Sequence, residues 1–368
     1  FQKRKDIFKM VNVAILGYGT VGNGTAQVLT GNLENLEKRL GQRINIKYIL
    51  DLREFPDDPL GDRVIHDFKI IENDPDVSIV AEMLGGAHPA YDFSAAALRA
   101  GKSVVTSNKE VVEKFGDELL RLAEENHVRY RFEASVGGGI PVISPLMHSI
   151  VTSNKVTEIN AILNGTTNYI LSRMGKENID YETALKDAQK LGYAEANPSA
   201  DVDGFDACRK ICILAAIAFG KLIPMEKVKT RGIRDITPEH IKSAERNGSR
   251  IRLIGRAVLL DSGKIHLEVA PYAVKNENPL SGVDDVFNAI LIHGNYSDDI
   301  MLYGKGAGKF PTASAVVSDI ADIIARGNSF APDEALNFNR APEAYEEKLP
   351  EKLIKETAAV LGNPVFES

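Results

Sequence analysis

Residues 195–210 concentrate groups that can do chemistry. Glu195, Asp201, Asp203 and Asp206 place four acids within twelve residues, beside Pro198 and Gly204, and Lys210 follows in an apolar helical tract. Asp206 and Lys210 are spaced i, i+4, so they share a helix face and can pair. A lysine held by a carboxylate, with further acids nearby, can carry a proton to or from an oxygen of a polar substrate. The plain alternative is an ion pair on a solvated face, worth well under about 1 kcal/mol. Cys208 lies about 200° around the helix from Asp206. Cys208 and Cys212 therefore read as core, not as metal ligands or nucleophiles.

A second group of residues suits a dinucleotide. Gly17-Tyr18-Gly19-Thr20-Val21-Gly22 follows the apolar run Val11–Leu16 and opens a helical pattern that runs to about Leu40. In that context Gly17 permits a tight turn, Gly19 lets backbone approach a pyrophosphate, and Gly22 lets helix and strand pack closely. The helix N-terminus then offers N–H groups to the phosphates. Asp51 ends the next apolar run, Ile44–Leu50, where an acid binds the ribose hydroxyls of NAD. Arg53 suits the 2′-phosphate of NADP. Both residues also fit a solvated loop, so the spacing leaves the choice of cofactor open. Thr106-Ser107-Asn108-Lys109-Glu110 follows a short strand pattern, and loops at strand carboxyl ends face the ligand crevice of a doubly wound sheet. Lys109 there is an anion or proton site, or a surface lysine.

The elements that must position these groups form two patterns. Strand and helix signals alternate up to about Pro141, which indicates a Rossmann-type parallel α/β sheet. Beyond it, helical tracts at 181–191 and 203–219 and strand signals at 252–260, 264–274 and 286–293 indicate a second, inserted α+β domain. A helix at 311–326 returns to the first pattern. The expected division is 11–142 with 305–327 for the dinucleotide, 143–304 for the substrate, and 328–368 as a C-terminal tail. At 368 residues two cores are the default. A net charge of −7 lacks the basic footprint of a nucleic-acid binder. No apolar run approaches the roughly 20 residues of a membrane span. Two cysteines suit a reducing compartment, so the expected location is the cytoplasm. Residues 1–9 are left out of the fold reading.

The stretch from Ala188 to Lys210 resembles the homoserine dehydrogenase signature, D-[apolar]-x-G-x-D-x-x-x-K, at Asp201, Gly204, Asp206 and Lys210. Further segments match the same family in order: the Gly17–Gly22 loop, Gly85-Gly86, Ser107-Asn108-Lys109, 133–141, 164–170, and Gly306-Ala307-Gly308 with Pro311-Thr312-Ala313. The likeness covers residues 11–327. It implies NADP- or NAD-dependent interconversion of homoserine and aspartate semialdehyde by a homodimer, with the inserted α+β domain serving substrate binding and dimerisation. It makes Lys210 the proton carrier, with Lys109 close to the reacting centre and Asp206 holding Lys210. It assigns Glu195, Asp201, Gly165 and Thr166 to the amino acid, and Gly17, Gly19, Thr20, Val21, Gly22, Asp51, Arg53, Gly85, Ser107, Lys109, Gly306 and Gly308 to the cofactor. It makes Glu133 and the carbonyls of Val136, Gly138 and Ile140 a site for a monovalent cation such as sodium. This chain has Asn197 where many members carry Asp, and Gly138 where alanine is common. The stretch after Gly327 is shorter than the regulatory ACT domain of many members, about 70–80 residues, so no threonine feedback through such a domain is expected. A semialdehyde dehydrogenase would need a nucleophilic cysteine, which Cys208 and Cys212 are poorly placed to supply. A cofactor-binding regulator without turnover is the rival of a different class.

Overall fold

The computed structural model describes residues 10–327 and 338–366. They divide into two compact units, 10–139 with 308–327, and 140–307 with 338–366.

In the first unit six parallel strands, β1 (Met10–Leu16), β2 (Arg43–Leu50), β3 (Val64–Ile65), β4 (Val77–Glu82), β5 (Ser103–Thr106) and β6 (Tyr130–Arg131), line up in the order β3-β2-β1-β4-β5-β6. The order reverses between β1 and β4, and a doubly wound sheet binds its ligand beyond the strand ends at that switch point. Register brings the ends to one level: Leu16 pairs with Leu50 and Glu82, and Glu82 pairs with Thr106. Val13, Ile15, Ile79, Ala81 and Val105 meet Ala26 and Leu29 of the helix Thr20–Gly31 and Val316 and Ile320 of the helix Lys309–Arg326. Alternate residues Ala14, Leu16, Val80 and Val104 are fully buried as well. A strand buried on both faces needs such an unbroken apolar run, which is why these segments do not alternate. The single helix expected to reach Leu40 is two, Thr20–Gly31 and Leu33–Leu40. Gly31 is a weak helix former, and Asn32 leaves helical geometry at φ −115°, ψ 13°.

The second unit holds β7 (Val156–Ile162), β8 (Lys221–Leu222), β9 (Lys229–Thr230), β10 (Ser249–Leu259), β11 (Ile265–Lys275), β12 (Phe287–Gly294), β13 (Asp298–Lys305), β14 (Asn339–Arg340) and β15 (Gly362–Pro364). Its main sheet runs β13-β12-β7-β10-β11-β15, with β9 beside β11. The helix Phe205–Phe219 packs on this sheet, and its Cys208 and Cys212 are fully buried as the spacing predicts. Gly255 on β10 makes the approach close, since a Cβ there would lie 3.3 Å from Ile211. Residues 338–366, read from the sequence as part of a separate tail, add to this unit. β15 pairs with β11, and Thr357 on the helix Glu351–Val360 bonds the buried Arg256. Among the described residues no helix is long and apolar enough to cross a membrane.

Candidate active site

In the second unit, β7 runs out at Ile162 and hands the chain to Leu163 and Asn164. Asn164 caps the helix Gly165–Glu177: its Oδ1 accepts the Thr167 N–H at 2.9 Å. Its Nδ2 donates to Asp201 Oδ1 at 2.7 Å and to Asp206 Oδ2 at 2.8 Å. Lys210 donates to the same Asp206 oxygen and to the Leu163 carbonyl, each at 2.8 Å. Asp206 and Lys210 are 5% and 8% exposed, so the pair is not the solvated helix face that spacing alone allows. Two charges removed from water cost several kcal/mol each unless they are paired and bonded. Here a strand-end carbonyl and a capping amide supply those bonds. The turn Ser199–Val202 carries Asp201, and Gly204, at φ +88°, reverses the chain into the helix Phe205–Phe219. Asp206 stands in the first turn of that helix, where its dipole favours a negative charge.

Of the other residues expected here, Thr166 bonds the Tyr193 carbonyl at 2.6 Å, and a Cβ on Gly165 would lie 2.8 Å from the Val286 carbonyl oxygen. Glu195 is exposed; its backbone carbonyl accepts from Gln189 at 3.1 Å. Asn197 turns its side chain to Ser199, accepting from its hydroxyl at 2.9 Å. The sequence assigns Asn164 no role of its own beyond its place in the 164–170 segment. An asparagine directly before a helix start is a capping signal, and that signal points to it.

In the first unit the glycine loop follows β1. Gly17 sits at φ +84°, and its N–H reaches the Leu50 carbonyl at 2.8 Å. A Cβ on Gly22 would stand 1.9 Å from the Gly17 carbonyl oxygen, whereas nothing lies within 4 Å of one on Gly19. Gly19 precedes the helix, whose first residues are Thr20 and Val21, and no side chain caps its N-terminus. Tight packing under Gly22 and open space over Gly19 are what a pyrophosphate at that helix end requires.

Asp51 is engaged on both oxygens. Oδ2 accepts the Tyr18 N–H at 2.7 Å and Arg53 Nη2 at 2.9 Å; Oδ1 accepts Arg53 Nε at 2.9 Å and its N–H at 3.0 Å. The Arg53 guanidinium, then the loop N–H of Tyr18, holds the Asp51 carboxyl well below the usual range against the opposing effect of burial. Asp51 and Arg53 are thus partners rather than alternatives. Arg53 remains exposed, 5.1 Å from the Phe55 ring. Gly85 is exposed in the loop after β4. Ser107 donates its N–H to the Glu82 carbonyl at 3.3 Å, and the half-buried Lys109 is the first residue of the helix Lys109–Glu125. Gly308 precedes the helix Lys309–Arg326. Gly306 belongs to the second unit and lies against Asn288, whose Nδ2 would be 1.9 Å from a Cβ there.

Glu133 is 3% exposed, and its N–H donates to Asp319 at 2.8 Å. Burial first, then the charge of Glu133, pushes the Asp319 carboxyl far up. Val136 and Gly138 follow in a buried turn with Gly137 and Gly138 at φ +79° and +54°, and Ile140 opens the second unit. Among the described residues no three of His, Cys, Asp and Glu gather as metal ligands, and the expected set of one carboxylate and three carbonyls is not of that kind.

Two family profiles match the chain: homoserine dehydrogenase, NAD binding domain, over residues 17–133, and homoserine dehydrogenase over 141–321. The homoserine dehydrogenase of Bacillus subtilis is 39% identical over 351 residues, 92% of this chain and 80% of that one. The crystal structure of a homoserine dehydrogenase from Thiobacillus denitrificans superposes with a TM-score of 0.85 at 36% identity, covering 92% of this chain and 80% of that one. A hyperthermophilic archaeal homoserine dehydrogenase in complex with NADPH gives 0.71 at 29% identity, covering 85% and 97%. Two profiles in chain order, relatives alike over nine-tenths of the chain, and a shared fold agree: this chain belongs to the homoserine dehydrogenase family.

Proposed function

We propose that this protein is an NAD(P)-dependent oxidoreductase that interconverts L-homoserine and L-aspartate 4-semialdehyde, with Lys210 as its proton carrier. The buried Lys210, bonded to Asp206 and to the Leu163 carbonyl, is the observation that carries the reading. A protein that only sensed the nucleotide would have no use for a lysine kept in that costly position.

With its pyrophosphate held at the glycine loop, a bound NAD(P) would supply or take the hydride at the substrate's C4. Lys210 serves the oxygen on that carbon. As an ammonium it stabilises the charge that develops during reduction and delivers the proton. In oxidation the neutral amine takes the hydroxyl proton, so this direction gains with rising pH. Asp206 orients Lys210, and Asn164 orients Asp206. Glu195 and Asp201 bind the ammonium and hydroxyl ends of the amino acid, Gly165 and Thr166 line its pocket, and Lys109 lies close to the reacting centre. Gly17, Gly19, Thr20, Val21 and Gly22 hold the pyrophosphate, while Gly85, Ser107, Gly306 and Gly308 serve the rest of the cofactor. Glu133 with the carbonyls of Val136, Gly138 and Ile140 binds a sodium ion, a hard cation suited to oxygen donors. The molecule works as a homodimer in the cytoplasm, with no nucleic acid or membrane partner.

NADP is the preferred cofactor in this reading. Both Asp51 oxygens already accept bonds, whereas the exposed Arg53 presents a fixed guanidinium to a phosphate. The test is homoserine-dependent reduction of NADP and NAD by the purified protein. Arg53→Ala should raise KM for NADP about tenfold or more and leave that for NAD within about twofold. Cofactor binding without any reduction would overturn the enzymatic reading.

A further inference from the structure

Glu82, the last residue of β4, is fully buried, and none of the roles above uses it. Its Oε2 accepts the Thr106 hydroxyl at 2.6 Å, and its Oε1 accepts the Leu84 N–H at 2.6 Å. Thr106 ends β5, and its oxygen also accepts the Asn108 N–H at 2.9 Å. Asn108 in turn donates to the carbonyls of Leu84 at 3.2 Å and Gly86 at 2.7 Å. Its Oδ1 caps the helix Lys109–Glu125 by accepting from Glu110 and Val111. One carboxylate therefore fastens two loops at the switch-point side of the sheet. One loop carries Gly85 and the other carries Ser107 and Lys109.

We propose that Glu82 is a positioning residue for the nucleotide, whose ionised carboxylate ties the β4 loop to the β5 loop and whose protonation loosens that tie. The proposal rests on the dinucleotide site described above. As an anion Glu82 accepts from both Thr106 and Leu84. With a proton on Oε2 the group must instead donate to Thr106, whose oxygen already receives the Asn108 N–H, and the Thr106 proton loses its acceptor. Leu84 then keeps its bond while the link between the strands weakens. The exchange falls within an accessible pH range. Burial pushes the Glu82 carboxyl up to about 7, against the bonds from Thr106, Leu84 and Asn108 that lower it. The titratable group that feels this charge is Tyr130 on β6, whose phenol is fully buried and stays neutral, raised by burial first and by Glu82 second.

The experiment is fluorescence titration of the full chain with NADPH, and separately with NADH, in the absence of homoserine and on both sides of pH 7. Wild type should bind both about tenfold more tightly above the Glu82 transition than below it, the equivalent of one charge-assisted hydrogen bond. Glu82→Gln presents an amide donor to Thr106, as the protonated acid does. It should bind weakly at every pH and show no inflection. Thr106→Val leaves the acid but removes the donor that favours its anion, so its inflection should move to higher pH. This variant carries the test if Glu82→Gln does not fold. The proposal fails if Glu82→Gln keeps the inflection or matches wild type at high pH. It fails too if the inflection occurs with NADPH alone, since the 2′-phosphate would then be its source. Homoserine-dependent reduction is assayed on the same wild-type sample. Its absence alongside the expected binding curves would sink the enzymatic reading and leave Glu82 standing.

Discussion

Replacing Asn164 separates what holds the fold from what holds the site. Its Oδ1 caps a helix, while its Nδ2 donates to Asp201 and Asp206. Asn164→Ala removes these three bonds and a fourth, from the Thr167 hydroxyl to Oδ1 at 3.1 Å, whose donor keeps the Asn164 carbonyl as an acceptor. The cap contributes about 1 kcal/mol. Each bond to a carboxylate contributes about 1.5 to 3 kcal/mol where both partners are buried, and less for the half-buried Asp201. A loss of about 3 to 5 kcal/mol on urea unfolding is the expected sum, a large share of a typical domain's stability. Asn164→Asp is more informative, because aspartate caps a helix as well as asparagine does. The Thr167 bond survives, but an acceptor replaces the donor between two acids. At neutral pH the three carboxyls repel one another, Asp206 shifts away from its place, and Lys210 loses its orientation. Steady-state kinetics should show kcat/KM for homoserine down about a hundredfold or more, the scale of a misplaced proton carrier. KM for the nucleotide should stay within about twofold, because Asn164 lies in the other unit from the glycine loop. Lowering the pH should recover part of the stability as one carboxyl takes up a proton. Wild-type kcat/KM for homoserine in a folded Asn164→Asp protein would refute the view that Asn164 sets the geometry of the Asp206–Lys210 pair.

Three further outcomes are expected. Lys210→Met removes the proton carrier while keeping a long side chain, and should cut kcat by about a thousandfold with nucleotide affinity unchanged in binding titrations; it also leaves Asp206 buried without its cation, so a lower melting temperature should accompany the loss. Glu82 makes stability depend on pH: its folded pKa is raised from 4.5 to about 7, so its contribution is complete below pH 4.5 and is lost as pH rises through 7, amounting to about 3 kcal/mol. Denaturant unfolding across that window should show the decline in wild type and its disappearance in Glu82→Gln; equal slopes in the two proteins would refute the assignment. Asn288 is fully buried, with no partner for either side-chain amide atom among the described residues, so Asn288→Leu should raise stability by about 1 kcal/mol or more. A lower unfolding midpoint instead would mean that the amide is bonded in solution, for example by an ordered water.

What the sequence reveals depends on how local the cause is. The glycine loop is legible because each glycine answers a steric demand inside one turn: only a residue without a Cβ survives 1.9 Å from the Gly17 carbonyl oxygen. The buried strands are legible because burial on both faces leaves an unbroken apolar run. β13 is not legible because, although exposed and half-buried positions alternate along it, apolar Met301 and Tyr303 stand at exposed positions and blur the alternation in the sequence. The 3.6-residue period puts Asp206 and Lys210 on one face but carries no information about what covers that face. Leu163 and Asn164 cover it, more than forty residues earlier in the chain. The same limit applies to Asp51 and Arg53. Two residues apart in sequence, they fit competing contacts with the ribose, whereas in the fold each completes the other and Tyr18 closes the set. A pair that looks like a choice in one dimension is a single unit in three. This is why Arg53→Ala should disturb more than one contact: it leaves Asp51 with two backbone donors, the N–H groups of Tyr18 and of residue 53, and no cation, beside the place proposed for the 2′-phosphate of NADP. The loss in NADP affinity should therefore exceed that of one phosphate contact, and a second substitution, Asp51→Asn, should restore part of it. If the double variant binds NADP no better than Arg53→Ala alone, the two residues act independently and the coupling inferred from their geometry is wrong.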